Sequence, residues 1–317
     1  PSRPTASAPA TRQKSSGKSK DGGISAMNSA LIKVGMPVSY DYKFLYHSLP
    51  LIYDHADQIT LAVDQNSKTW TGIPFAIEDA FWEWIKEIDV QKKINVYRDV
   101  FYRPGFKAME NGTRERMMIA QRMGEGGWHV QVDSDEYFLD FGTFSQFLRH
   151  HSRWTRPGAA PLDIGIFWMP LFKQVGNGFL YIKDAYETLP IATNRPDYKM
   201  ARASDHLIRY APFCLFHQTW ARGEQEVWTK ANSIGHVDHF NVQSYFNMWK
   251  AIDRHNYRYI RNFHPLIPSV WPSLEWGPGK DVPEFIANYR PNHSLTVPLR
   301  VYLRRRLGQW KKSWMQK

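Results

Sequence analysis

Three carboxylates fall within four positions of the segment Val130–Phe138 (VQVDSDEYF): Asp133, Asp135 and Glu136. In an extended chain the side chains at i and i+2 point to the same side, so Asp133 and Asp135 share one. Two carboxylates there repel each other. A hard divalent cation such as Mg²⁺ or Mn²⁺ relieves that repulsion and leaves coordination positions open for phosphate oxygens. A bare Asp-x-Asp also suits a solvated loop in which one aspartate caps the next helix. Other chemistry-bearing types are sparse. The single cysteine, Cys214 in FCLFH, reads as a buried inert thiol; one cysteine excludes an intrachain disulfide framework and suits a reducing compartment. His236 and His239 have H-x-x-H spacing without the cysteine partners or H-E-x-x-H context of a zinc site.

The elements that must position these acids alternate in type. Ala30–Val38 reads as a buried strand, Asp41–Ala56 as helix broken at Pro50, and Gln58–Asp64 (QITLAVD) as a second strand ending in an acid. Between Pro74 and Asp89, Ile77, Phe81, Trp84, Ile85 and Ile88 recur at helical spacing, which predicts an amphipathic helix with proline in its first turn. Ile94–Asp99 is a third strand, Thr113–Met123 a helix, and Trp128–Asp133 a fourth strand running into the carboxylates. Such alternation predicts a parallel α/β sheet with helices on both faces, whose ligands bind at the carboxyl ends of the strands. Beyond residue 140 the pattern loosens into short strands, prolines and aromatics, with a hairpin expected around Gly176–Gly178.

Taken in this order, the strands, the acid at Asp64, the helix carrying TRERMMIAQRM and the motif GGWHVQVDSDE resemble the nucleotide-binding half of a family 2 glycosyltransferase with a GT-A fold, over about 30–140. LFHQTWARGEQEVWTKANSIGHVDHFN (215–241) is similar to a later segment of those enzymes, in which a histidine ends a strand and is followed by an Arg and a Lys. The resemblance implies a GT-A fold, with a Rossmann-like, mostly parallel sheet and an α+β acceptor-side half. It also implies a UDP-sugar donor, dTDP-sugar second, with Mn²⁺ or Mg²⁺. On this pattern Asp64 would accept the uracil N3–H, Arg114 would lie near the nucleotide, and Asp133 would face ribose or metal. Asp135 and His217 would hold the metal, and a nitrogen ligand favours Mn²⁺. Read by themselves, Asp64 fits a turn, Arg114 an exposed helix position and His217 a core histidine. Arg222 and Lys230 could meet the diphosphate or lie on the surface. Family members generally invert, so a carboxylate must deprotonate the acceptor hydroxyl. Here no acidic pair stands between Asp135 and His217; the candidates are Asp184, Glu187, Asp197 and Asp205, with Glu187 and Asp205 favoured.

The chain has 317 residues, 41 Lys+Arg and 30 Asp+Glu, for a net charge of +11. Residues 1–26 carry +4 and residues 299–317 carry +7, which leaves the intervening body balanced. A basic nucleic-acid-binding face on the folded body is thereby disfavoured. Apolar residues make up 43%, enough for a large core, and the longest stretch without Asp, Glu, Lys or Arg, 262–274, contains three prolines. Four parts are expected: a disordered leader or added linker (1–26), a nucleotide-sugar-binding half (27–140), an acceptor-side half of the same domain (141–298) and a basic tail (299–317). In the tail, Leu299, Leu303, Leu307, Trp310 and Trp314 share one helical face, and Arg304, Arg305, Arg306, Lys311 and Lys312 fill most of the rest, the composition of an in-plane helix on an anionic membrane. The reading is a metal-dependent, inverting glycosyltransferase, peripheral at the cytoplasmic face of a membrane, acting on a glycan or glycolipid acceptor. The alternatives are a metal-dependent phosphoryl-transfer enzyme or nuclease, and a non-catalytic nucleotide-sugar-binding protein of the same shape.

Overall fold

The computed structural model describes residues 30–182, 186–234, 236–292 and 298–315. The expected leader (1–26) and the candidate base Asp184 lie outside them.

Among the described residues ten strands form one sheet: β1 (Ile32–Pro37), β2 (Gln58–Asp64), β3 (Ile94–Asp99), β4 (Trp128–Gln131), β5 (Glu136–Phe138), β6 (Leu162–Val175), β7 (Gly178–Tyr181), β8 (Glu187–Thr193), β9 (Leu207–His217) and β10 (Glu275–Pro278). The order is β10-β7-β6-β8-β4-β1-β2-β3, with β9 joined to β6 and β5. β3, β2, β1 and β4 run parallel, and β8 joins β4 antiparallel. Beyond β8 the sheet is mixed, with β6 antiparallel to β7 and β8 but parallel to β9. The chain thus has a Rossmann-like α/β sheet continued by an α+β half.

Local chemistry accounts for the helices. Pro50 sits in the first turn of α2 (Pro50–Tyr53), directly after α1 (Leu45–Ser48), where its missing N–H costs no hydrogen bond. α3 runs Asp79–Ile88, five residues later than the apolar spacing predicts, because Pro74 is held extended in a bridge to Lys68. α4 (Ala108–Met123) starts five residues before its expected Thr113, where the Glu110 carboxylate accepts the Lys107 N–H at 2.7 Å. The expected hairpin forms with Gly176 at φ +63° in its two-residue turn. The remaining helices are α5 (Phe141–His150), α6 (Glu224–Ala231), α7 (Val242–Ala251), α8 (Val282–Asn292) and α9 (Leu299–Met315).

Helices cover both faces of the parallel strands. Ile32, Val34 and Met36 of β1 point into a core shared with α1, α2, α3 and α5. Their alternates face α4, which comes so close that a Cβ on Gly35 would lie 2.4 Å from Ile119 Cγ2. Ala62, Phe101, Ile119 and Met123 fill that side. The aromatic clusters under α7 and α8 belong to the second half. Cys214 is buried, and burial pushes its thiol up to about 12, as suits an inert core residue.

Candidate functional site

The strand order reverses at β1, which opens a crevice between the carboxyl ends of β1 and β4, the place where α/β sheets bind ligands. The carboxylates follow β4 there. Glu136 begins β5, whose antiparallel pairing with β9 sets Glu136 opposite His217. The Gln218 N–H donates to the Asp135 carbonyl at 2.9 Å, and the Ser48 hydroxyl donates to the Ser134 carbonyl at 2.7 Å. Sheet register therefore brings His217 to a motif far from it in sequence.

Asp133 meets two basic side chains and Asp135 three. Asp133 accepts from Arg116 at 2.5 Å and from Arg202 at 3.3 Å, and Arg202 also holds Glu136 at 2.5 Å. One oxygen of Asp135 meets Arg222, Lys230 at 2.5 Å and His217 Nε2 at 3.0 Å. Burial alone would raise both aspartates. For Asp133, Arg116 and Arg202 outweigh it and lower the carboxyl; for Asp135, His217, Lys230 and Arg222 hold it well below the usual range. Lys230 is lowered by burial and by Arg222, against the pull of Asp135, since two cations compete for one carboxylate oxygen. Three buried basic side chains, Arg116, Arg222 and Lys230, and the largely covered Arg202 are thus paired with three carboxylates at the strand-end crevice.

The Asp135 oxygen and His217 Nε2 lie 3.0 Å apart, at hydrogen-bonding distance, and are the two side chains here that would hold a divalent cation. The Thr219 hydroxyl, 2.7 Å from Nδ1, orients the ring from behind. Lys230 Nζ already stands between the pair, 3.3 Å from Nε2. Among the described residues no group of three or more His, Cys, Asp and Glu side chains converges to hold a metal ion. The residues present offer one carboxylate oxygen, already held by Arg222 and Lys230, and one imidazole nitrogen, so a cation here would need most of its ligands from elsewhere.

A cavity of about 410 Å³ opens over this cluster, lined from both halves of the chain, Asp64, Glu115, Asp133, Asp135, Glu187 and His217 among its walls. Glu187, at the start of β8, accepts from the Trp271 indole at 2.6 Å, and burial raises its carboxyl. Trp168 packs against His217 with ring centroids 4.6 Å apart. Trp70 rests on Gly112 of α4, where a Cβ would come within 3.2 Å of the indole, and donates to Glu115 at 2.5 Å. Burial pushes Glu115 up to about 7 despite that hydrogen bond and the nearby Arg116.

Four expected or candidate site residues stand elsewhere or are otherwise engaged. Asp64 lines the cavity, but its carboxylate accepts four backbone N–H groups, from Asn66, Lys68, Phe101 and Tyr102, at 2.8–3.2 Å. A carboxylate has about four acceptor sites, so none is left for a uracil N3–H; Asp64 organises the loops after β2 and β3. Arg114 donates to the carbonyls of Val100 and Phe101 at 2.7 and 2.8 Å and does not line the cavity. Arg116, two positions on and about 200° around the helix, takes the site position instead. Asp205 is exposed and outside the cavity wall, and Asp197 is an exposed partner of Lys199 at 2.7 Å. The residues that sequence reasoning missed are Arg116, Arg202, Glu115 and Trp70. A signal existed for two of them: Gly112, Glu115, Arg116, Ile119, Ala120 and Met123 form one buried stripe of α4, and two charges inside such a stripe mark a polar site.

No protein-family model and no curated protein matches the chain. Among solved structures, S. aureus TarS 1-349 is 10% identical over 64% of this chain and 66% of its own, with a TM-score of 0.33. A 4-diphosphocytidyl-2C-methyl-D-erythritol synthase is 11% identical over 87% of this chain and 99% of its own, with a TM-score of 0.25. The chain thus spans just under two thirds of the TarS fragment, and likeness this slight fixes no activity.

Proposed function

We propose that the protein is a glycosyltransferase that takes a sugar from a nucleoside diphosphate-sugar, UDP-sugar first among donors, and passes it to a glycan or glycolipid acceptor. The observation that carries this reading is the convergence of Arg116, Arg202 and Lys230 on Asp133 and Asp135 in one cavity at the strand ends, with Arg222 holding Asp135 from behind the cavity wall. Breaking the bond from sugar C1 to the diphosphate builds negative charge on the leaving phosphate, and buried guanidinium and ammonium groups stabilise it. Mn²⁺ or Mg²⁺, bound through Asp135 and His217, would add Lewis-acid stabilisation of the same charge.

Glu187 is the base of this reaction. It is a cavity-lining carboxylate with raised proton affinity, and the Trp271 indole fixes one of its oxygens while the other is left to take the acceptor hydroxyl proton. As Glu187 takes the proton, the acceptor oxygen bonds to C1 on the face opposite the departing diphosphate, which gives inversion at C1. Trp168 and Trp271 supply flat apolar walls for a sugar ring. The nuclease alternative asks for acids clustered to hold two metals, and the described residues contain no such group.

The test is thermal stabilisation by UDP, dTDP and ADP with and without Mn²⁺, followed by a screen of nucleotide-sugars for hydrolysis or transfer. Stabilisation by a nucleoside diphosphate that disappears in Arg202→Ala supports the reading. No stabilisation by any of the three, or an effect unchanged in Arg202→Ala and Asp135→Ala alike, overturns it.

A further inference from the structure

A helix on a protein surface normally turns its apolar stripe toward the body and its charges toward water. α9 does the reverse. At about 100° per residue, Leu299, Leu303, Leu307, Trp310 and Trp314 fall within an arc of about 80°, and all five are 49–72% exposed. The face that docks lies roughly opposite and is polar. Gln309 accepts the Ile208 N–H of β9 at 2.9 Å, Lys312 donates to the His206 carbonyl at 2.9 Å and Arg305 to the Tyr186 carbonyl at 3.2 Å. Tyr302 meets Phe167 edge-on, with centroids 5.8 Å apart. α9 thus satisfies backbone groups at the free edge of β9 and holds a Leu/Trp stripe outward. A contiguous exposed stripe of five large apolar side chains marks an interaction surface rather than ordinary scatter.

We infer that this stripe seats the protein in the plane of an anionic lipid bilayer. Charge selects the occupant: Arg300, Arg304 and Lys311 flank the stripe on one side and Arg306 on the other, all four are exposed, and α9 contains no acid. Leucines enter the acyl boundary, the two tryptophans sit at headgroup level, and the flanking basic groups meet lipid phosphates. No described helix is long and apolar enough to cross a membrane, so α9 lies on the surface. The anchor also adjoins the cavity wall, because Arg305 is bonded to the carbonyl one residue before Glu187. The inference rests on α9 alone and stands apart from the donor reading.

The experiment is cosedimentation of the full chain with vesicles of phosphatidylcholine and of phosphatidylcholine with phosphatidylglycerol. Tryptophan emission is followed alongside, and nucleotide stabilisation serves as a separate control on the cavity. Partition onto the anionic vesicles should be about a hundredfold stronger or more, with a blue shift in emission. The double variant Trp310→Ser, Trp314→Ser should lose binding at least about tenfold, and Arg304→Glu with Arg306→Glu should lose the anionic preference, both with unchanged thermal stability. Three results would overturn the inference: equal or no binding to the two vesicles, binding unaffected by both variants, or a dimer in sedimentation velocity that the tryptophan variant abolishes, which would make the stripe a contact between copies of the chain.

Discussion

Glu187 combines the two properties that a general base needs, a place in the cavity wall and a proton affinity raised by burial. In Glu187→Gln the amide oxygen can still accept from Trp271, so the fold should persist while kcat falls by about 10²–10⁴-fold and nucleotide stabilisation stays unchanged. A rate within a few fold of the parent would remove Glu187 from the reaction. Glu115 makes a prediction about stability. Its carboxyl moves from an ordinary value of 4.5 to about 7, so the folded chain keeps a proton that the unfolded chain has already lost in that window. Stability should therefore fall as pH rises from about 4.5 to about 7, by up to about 3 kcal/mol, and level off above it. Urea denaturation between about pH 5 and pH 8 reads this slope. Glu115→Gln should flatten it, and an equal slope in the variant would assign the effect to other groups.

At the scale of elements, the approach of α4 to β1 decides how the site is built. Gly35→Ala places a methyl group against Ile119 and should cost about 1–3 kcal/mol in urea denaturation. Adding Ile119→Ala opens the space, so the double variant should lose less than the two single losses summed; strict additivity would show that the contact is not what separates the elements. α4 also shows what helical periodicity conveys and what it omits. The spacing reveals a helix over Thr113–Met123 and can reveal the buried stripe, but the family resemblance points to Arg114, which faces the carbonyls after β3. A shift of two positions turns a side chain to the opposite side of a helix, and only packing against β1 and β2 fixes which side meets the cavity. β9 is the contrasting case. His217 was legible as a strand-ending histidine, while its pairing opposite Glu136 is a long-range register that no local pattern encodes.

At the scale of the whole molecule, one sheet runs through both halves, with β8 pairing β4 of the first half on one side and β6 of the second on the other. The cavity draws walls from both. Calorimetry should therefore record a single cooperative transition, and a bound nucleoside diphosphate should move the whole of it upward. Two separated transitions, with only one shifted by nucleotide, would mean that the halves unfold independently.

Local order determined much of this protein. Strand alternation, chain punctuation at Pro50 and Gly176, and the clustering of acids after a buried strand all follow from nearest-neighbour sterics, side-chain period and charge type. Gln58–Asp64 and Ile94–Asp99 are strands with those same bounds, for this reason. Tertiary structure decided what each charged group does. Asp64 became a loop anchor because four backbone N–H groups reach it, Asp205 lies outside the cavity, and Arg202 entered the site from a segment without a motif. The tail divides the same way. Its helix and its Leu/Trp stripe are written in spacing, but the outward direction of the stripe was set by which backbone groups at the edge of β9 needed partners. Periodicity records which side chains share a face, and only long-range packing decides where that face points.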